Sequence, residues 1–167
     1  NSYTCTPLQG SGSFGVEAMM INFIKKTEKV LILINGAYGE RIQKICNYHK
    51  IKNEAFQWDE DKAINLEKLN MKLKKDKSIK HLAFVHCETS TGILNPLKEV
   101  SNICDKYKVN LLIDAMSTFG AIHIDSKKIK FKAIVASSNK CIEGVPGMAF
   151  IISKISLQKL TESSLLS

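Results

Sequence analysis

The chain has 167 residues, of which 44% are hydrophobic and 24% charged, the proportions of one ordinary globular domain long enough to bury a core. Its formal charge of +8 comes from lysines spread over successive segments, with Arg41 as the only arginine, a poor match to sequence-reading nucleic-acid proteins, which rely on arginine forks. No apolar run approaches the length that crosses a bilayer and no signal-peptide pattern is seen, so the expectation is a cytoplasmic protein with neither a membrane nor a nucleic acid as partner.

Cys5, Cys46, Cys87, Cys104 and Cys141 are odd in number and include no C-x-x-C pair, which reads as free thiols. His49, His81, His86 and His123 show no ligand spacing with one another or with the cysteines, so no metal is expected.

In chain order, Thr6-Pro7-Leu8-Gln9-Gly10-Ser11-Gly12-Ser13-Phe14 reads as a small-residue loop. It leads into a helix that carries Val16, Met19, Met20, Phe23 and Ile24 at helical spacing. Gly10 and Gly12 let backbone approach a ligand, Ser11 and Ser13 offer hydroxyls, and the helix start offers free N–H groups. Together they read as a phosphate cradle or as a plain helix cap. The motif lacks the G-K-[ST] of a Walker loop, and no strand of the dinucleotide-binding type is expected before it.

Lys29 to Ile34 is a continuous apolar run that reads as a strand buried on both faces. Asn35-Gly36-Ala37-Tyr38-Gly39 turns at its carboxyl end, and a helix follows through Arg41, Ile42, Ile45 and Tyr48. Tyr38 stands where it can stack on a planar ligand or simply pack. A short strand is expected over Glu54 to Trp58, and a helix around Ile64 to Leu73 with a solvated lysine-rich end.

His81 to His86 is the next buried strand, and it ends in Cys87-Glu88-Thr89-Ser90-Thr91-Gly92. Hydroxyls and a carboxylate gather there, where open α/β sheets bind ligands. Asn95-Pro96 opens a helix through Val100, Ile103, Cys104 and Tyr107. Val109 to Ile113 then runs into Asp114, a carboxylate costly to bury alone, which serves a ligand or caps the segment after it.

A last pair of apolar runs, Phe131 to Ala136 and Met148 to Ile152, brackets Ser137-Ser138-Asn139-Lys140-Cys141-Ile142-Glu143-Gly144-Val145-Pro146-Gly147. Lys140 is the lysine set among small and apolar neighbours, at the mouth of a buried strand. An amine partly withdrawn from water is more readily neutral, the form that attacks a carbonyl to make a Schiff base. The plain alternative is a strand-end lysine with its stem packed and its ammonium in water. Short apolar strands alternating with amphipathic helices indicate an α/β fold, a three-layer, mainly parallel sheet with helices on both faces.

Five stretches carry a family resemblance: Leu8 to Phe14, Asn35 to Gly39, Val85 to Gly92, Asp114 to Ser117 and Ser138 to Gly147. In this order they resemble the large domain of the class V, fold type I aminotransferases, and among these the enzymes acting on 2-aminoethylphosphonate and pyruvate. The resemblance spans about Thr6 to Ile152 and implies pyridoxal 5'-phosphate as cofactor. It implies that Lys140 bonds the cofactor and Asp114 pairs with its pyridine nitrogen. Ser11, Gly12 and Ser13 would hold the phosphate, Tyr38 would stack on the ring, and Thr89 would bond the phenolic oxygen, with Asn139 beside the site.

The implied reaction moves the amino group of 2-aminoethylphosphonate to pyruvate, giving phosphonoacetaldehyde and alanine. The small-molecule partners are thus an amine and a 2-oxo acid. A related class V enzyme acting on alanine, serine and glyoxylate, and a truncated non-catalytic fragment, are the alternatives. Family members are longer homodimers, so residues 1–167 read as one cofactor-binding large-domain fragment, with the family's N-terminal segment and C-terminal small domain absent. The small domain normally brings the arginine that clamps the substrate's acidic group, and Arg41 lies in a different motif.

Overall fold

Alternation along each strand divides the core in two. In the computed structural model, which describes residues 3–155, β1 (Tyr3–Gln9) and α1 (Gly12–Phe23) are followed by β2 (Lys29–Ile34), α2 (Ala37–Tyr48), β3 (Asn53–Gln57), α3 (Leu66–Lys75) and β4 (Ile79–Val85). A short hairpin of β5 (Cys87–Glu88) and β6 (Ile93–Leu94) precedes α4 (Leu97–Tyr107), β7 (Asn110–Asp114), β8 (Ala133–Ser137) and β9 (Met148–Lys154). Leu31 and Leu33 of β2 face a cluster with Leu69 and Leu73 of α3 and Val100 and Cys104 of α4. Val30, Ile32 and Ile34 of the same strand face the other way, onto Val16, Met19 and Met20 of α1 and Ile42 and Cys46 of α2. A strand covered on both faces has no polar side to show, which is why β2 past Lys29 and β4 past His81 read as unbroken apolar runs.

The main sheet has the order β1-β9-β8-β7-β4-β2-β3. Strands β3, β2, β4, β7 and β8 are parallel neighbours, while β9 runs antiparallel to β8 and β1 antiparallel to β9. The carboxyl ends of β2, β4, β7 and β8 therefore emerge along one edge of the molecule. The helix α1 lies close on this sheet: a Cβ at Gly15 would come within 2.8 Å of the Ala149 side chain and 3.0 Å of Val135.

The expectation of a loop from Thr6 is corrected, because Tyr3–Gln9 is an edge strand, with Pro7 opposite Phe150. An edge strand tolerates a residue without an N–H. Its side chains are mostly exposed, so no hydrophobic alternation announced it. The helix start at Pro96 is as expected to within a residue, with Pro96 at the cap of α4. The lysine-rich end of α3 is less purely solvated than expected, since Lys29 bridges Glu54 at 2.6 Å and Asp76 at 2.9 Å, with Lys72 also paired to Glu54.

Phe84 is fully buried at the centre of one cluster. Phe84→Ala is expected to cost about 3–5 kcal/mol of unfolding free energy, read by urea denaturation. Cys46 and Cys104 are buried thiols pushed up to about 12 by loss of water, and both are expected to resist alkylation in the folded chain. Among the described residues no helix is long and apolar enough to cross a membrane, and no group of three or more His, Cys, Asp or Glu gathers as a metal site.

Candidate active site

Where the parallel strands end, their loops enclose a cleft of about 200 Å³. All eight residues expected at a site line it: Ser11, Gly12, Ser13, Tyr38, Thr89, Asp114, Asn139 and Lys140. They come from five places in the chain and are joined by the sheet order.

The first wall is the start of α1. Ser11 caps the helix, its Oγ accepting from the Phe14 N–H at 3.2 Å. The amides of Gly12 and Ser13 lie in the first turn, where a helix makes no bond to them, so they remain available to an anion. Gly10 has a φ of +146° and a Cβ there would meet Phe14 at 2.8 Å, so the turn into the cradle requires glycine.

The second wall is the start of α2, with Gly36 at its cap and Tyr38 in its first turn. Arg41, one turn on, also lines the cleft. It donates from Nη1 to Ser13 Oγ at 2.8 Å, and its guanidinium sits 5.4 Å from the centre of the Tyr38 ring. Arg41, given no site role from its motif, bridges the two helix starts. The sequence held the signal, since residues three apart on a helix share a face and Tyr38 was already singled out.

The floor holds Asp114, the last residue of β7. Its Oδ1 accepts from the Met116 N–H at 3.0 Å, so the capping alternative is realised alongside its place in the cleft. It is 4% exposed and in no ion pair among the described residues. Burial raises its carboxyl from an ordinary value near 3.8 to about 6; Glu88 adds to that rise, while the Met116 amide and Arg41 oppose it. Beneath the cleft, buried polar pairs tie the strand ends together. Asn95 and Asn35 exchange side-chain amide bonds at 2.9 and 3.1 Å, and the His86 N–H donates to the Asp114 carbonyl at 2.8 Å. The His86 ring, hydrogen-bonded to Thr118 at 2.9 Å, is held by burial in its neutral form, its pKa lowered to about 4.

The last wall carries Thr89, whose hydroxyl bonds that of Ser117 at 2.5 Å, and the Asn139–Lys140 turn after β8. The expectation of a partly buried Lys140 is corrected: the residue is exposed. The small and apolar residues after it do not cover it, because Ile142 to Met148 form an exposed loop in which Val145 is 80% exposed.

The sequence profile of aminotransferase class-V matches residues 8–167. The chain belongs to the class V aminotransferase family. It is 46% identical over 153 residues to 2-aminoethylphosphonate--pyruvate transaminase of Pseudomonas aeruginosa (strain UCBPP-PA14), covering 92% of this chain and 41% of that protein. A Pseudomonas putida protein of the same name is 45% identical over 164 residues, covering 98% of this chain and 45% of the relative. The chain thus spans less than half the length of these relatives of the family.

Solved structures share the fold. Ureidoglycine-glyoxylate aminotransferase from Bacillus subtilis superposes with a TM-score of 0.84 at 28% identity, covering 90% of this chain and 39% of the other. Pyridoxamine-pyruvate aminotransferase from Mesorhizobium loti gives 0.86 at 23% identity, over 98% of this chain and 42% of the other. At that identity the likeness concerns the fold alone.

Proposed function

We propose that this chain forms the cofactor-binding part of a pyridoxal-phosphate-dependent transaminase, with 2-aminoethylphosphonate as amino donor and pyruvate as acceptor, giving phosphonoacetaldehyde and alanine. The observation that carries the reading is Asp114. It is a carboxylate buried without a cation, on the floor of a cleft that also holds a helix-start anion cradle, an aromatic ring and a lysine. A buried carboxylate with a spare oxygen calls for a cationic N–H partner, and a protonated pyridine nitrogen is one. The cradle suits a phosphate, Tyr38 suits a ring, and Lys140 suits an aldehyde, so the residues present fit the cofactor.

When bound, pyridoxal phosphate supplies an electron sink for the carbon next to the substrate nitrogen. In this reading Ser11, Gly12 and Ser13 hold its phosphate through hydroxyls and first-turn amides, and Tyr38 orients its ring. Thr89, already paired to Ser117, would donate to the phenolic oxygen, and Asp114 would keep the ring nitrogen protonated. Lys140 would bond the cofactor through its Nζ and would carry the proton at the reacting carbon. Asn139 flanks it. The exposed side chains Ile142, Val145 and Met148 beside Lys140 are, in this reading, covered by a second copy in a homodimer.

The names of the curated relatives support this donor over the alanine–glyoxylate alternative, whose solved neighbour from Nostoc sp. is 24% identical. The deciding experiment is a donor screen on the protein carrying this chain at its full length. Turnover of 2-aminoethylphosphonate with pyruvate is expected to exceed that of alanine with glyoxylate by at least about tenfold in kcat/KM. The opposite preference would transfer the assignment to the alternative.

A further inference from the structure

Glu88 is fully buried, carries no salt bridge among the described residues, and does not line the cleft. Its neighbours Cys87 and Thr89 do line it, so along this short strand Glu88 points the other way, into the gap between β5 and α2. There its carboxylate meets three donors. The Tyr38 N–H donates to Oε1 at 3.0 Å, the Gly39 N–H to Oε2 at 3.1 Å, and the Ser90 hydroxyl to Oε1 at 3.2 Å. The two amides belong to the first turn of α2, whose own cap residue, Gly36, supplies no side-chain bond.

A helix start favours an anion, and a buried anion requires donors, so each compensates the other. Gly36 makes room for this. A Cβ there would stand 2.2 Å from Glu88 Cγ, although its φ of 165° is extended backbone open to any residue. The glycine is required by the carboxylate's seat and not by its own conformation.

What this clamp holds is the wall bearing Tyr38 and Arg41, and what it is anchored to is the wall bearing Thr89. We propose that Glu88 is a positioning residue: by gripping the α2 amides it sets the separation of the two cleft walls and thereby the placement of the Tyr38 ring. The clamp is a property of the unloaded chain, and its effect on cofactor binding rests on the reading above.

The test uses the full chain as Glu88→Gln, which keeps the shape but removes the charge and one acceptor, and as Gly36→Ala, which leaves Glu88 intact but blocks its seat. In the unloaded protein, amide exchange at Tyr38 and Gly39 is expected to accelerate about tenfold or more in both variants while amides of β2 and β4 keep their rates. On titration with pyridoxal phosphate, followed by absorbance, both variants are expected to bind about tenfold more weakly. In a Tyr38→Leu background, Glu88→Gln is expected to change affinity less than about twofold, because the residue it acts through is gone.

Unchanged exchange at Tyr38 and Gly39 in both variants would overturn the clamp. Faster exchange with unaltered affinity would overturn its positioning role, as would a full, additive loss in the Tyr38→Leu background, the mark of general packing. If the unsubstituted chain takes up no pyridoxal phosphate, the cofactor reading fails, and the exchange arm alone decides whether Glu88 holds the wall.

Discussion

Lys140→Ala is expected to abolish the visible absorbance that the unsubstituted protein develops with pyridoxal phosphate, and to leave its melting temperature unchanged. The side chain is exposed and follows a fully buried strand, so its removal opens no cavity and breaks no described bond. No other lysine lines the cleft. On the proposed reading, the cofactor would then still be held at its phosphate and ring, but not covalently, and loss of the proton carrier alone would cost about 10²–10⁴-fold in kcat. Absorbance across the visible range, compared before and after gel filtration, reads the covalent bond. Activity with the amino donor reads the proton transfer. A variant that keeps its colour through gel filtration would assign the bond to another residue.

Asp114→Asn is expected to stabilise the unloaded chain and disable it at once. Asp114 has its carboxyl raised from 3.8 to about 6. Between these values the folded chain binds the proton that the unfolded chain has already released, so this group's contribution to stability falls as pH rises through the window. Above about pH 6 the full cost is present, on the order of 3 kcal/mol from a shift of about two units. Asparagine keeps an oxygen for the Met116 N–H and has no charge to bury. Urea denaturation at pH 7.5 is therefore expected to show Asp114→Asn more stable by about 3 kcal/mol, with the gain shrinking to nothing near pH 4. An equal or smaller stability at pH 7.5 would show that the buried charge is already compensated. On the proposed reading, the same substitution would leave the ring nitrogen without its anion, and kcat is expected to fall by about 10²–10³-fold. Stability is thus held back at the one position where the unloaded cleft carries an unmet charge.

Local pattern was enough for much of this. The apolar runs from Lys29 to Ile34, His81 to Val85 and Val109 to Ile113 predicted buried strands because a strand covered by helices on both faces must be apolar at every position. Val85 ends the second and Asp114 follows the third, both lining the cleft, and Tyr38 lies four residues past the first. Lys140 and Asp114 stood out by contrast with their apolar neighbours, before anything placed them together. The edge strand β1 was not legible, since its exposed side chains follow no period. The place of Arg41 in the cleft was not read, because it was considered within its own motif and not across the turn toward Tyr38.

By itself, then, the sequence determined the α/β class, the family, and the placing of Asp114 and Lys140 where buried strands end. Only the tertiary structure decided that Arg41 reaches Ser13, that Lys140 stands in solvent, and that Glu88 serves a helix fifty residues before it. The reason is physical. Burial imposes a period on neighbouring residues that can be read locally, whereas a hydrogen bond between distant segments imposes nothing on the residues around either partner.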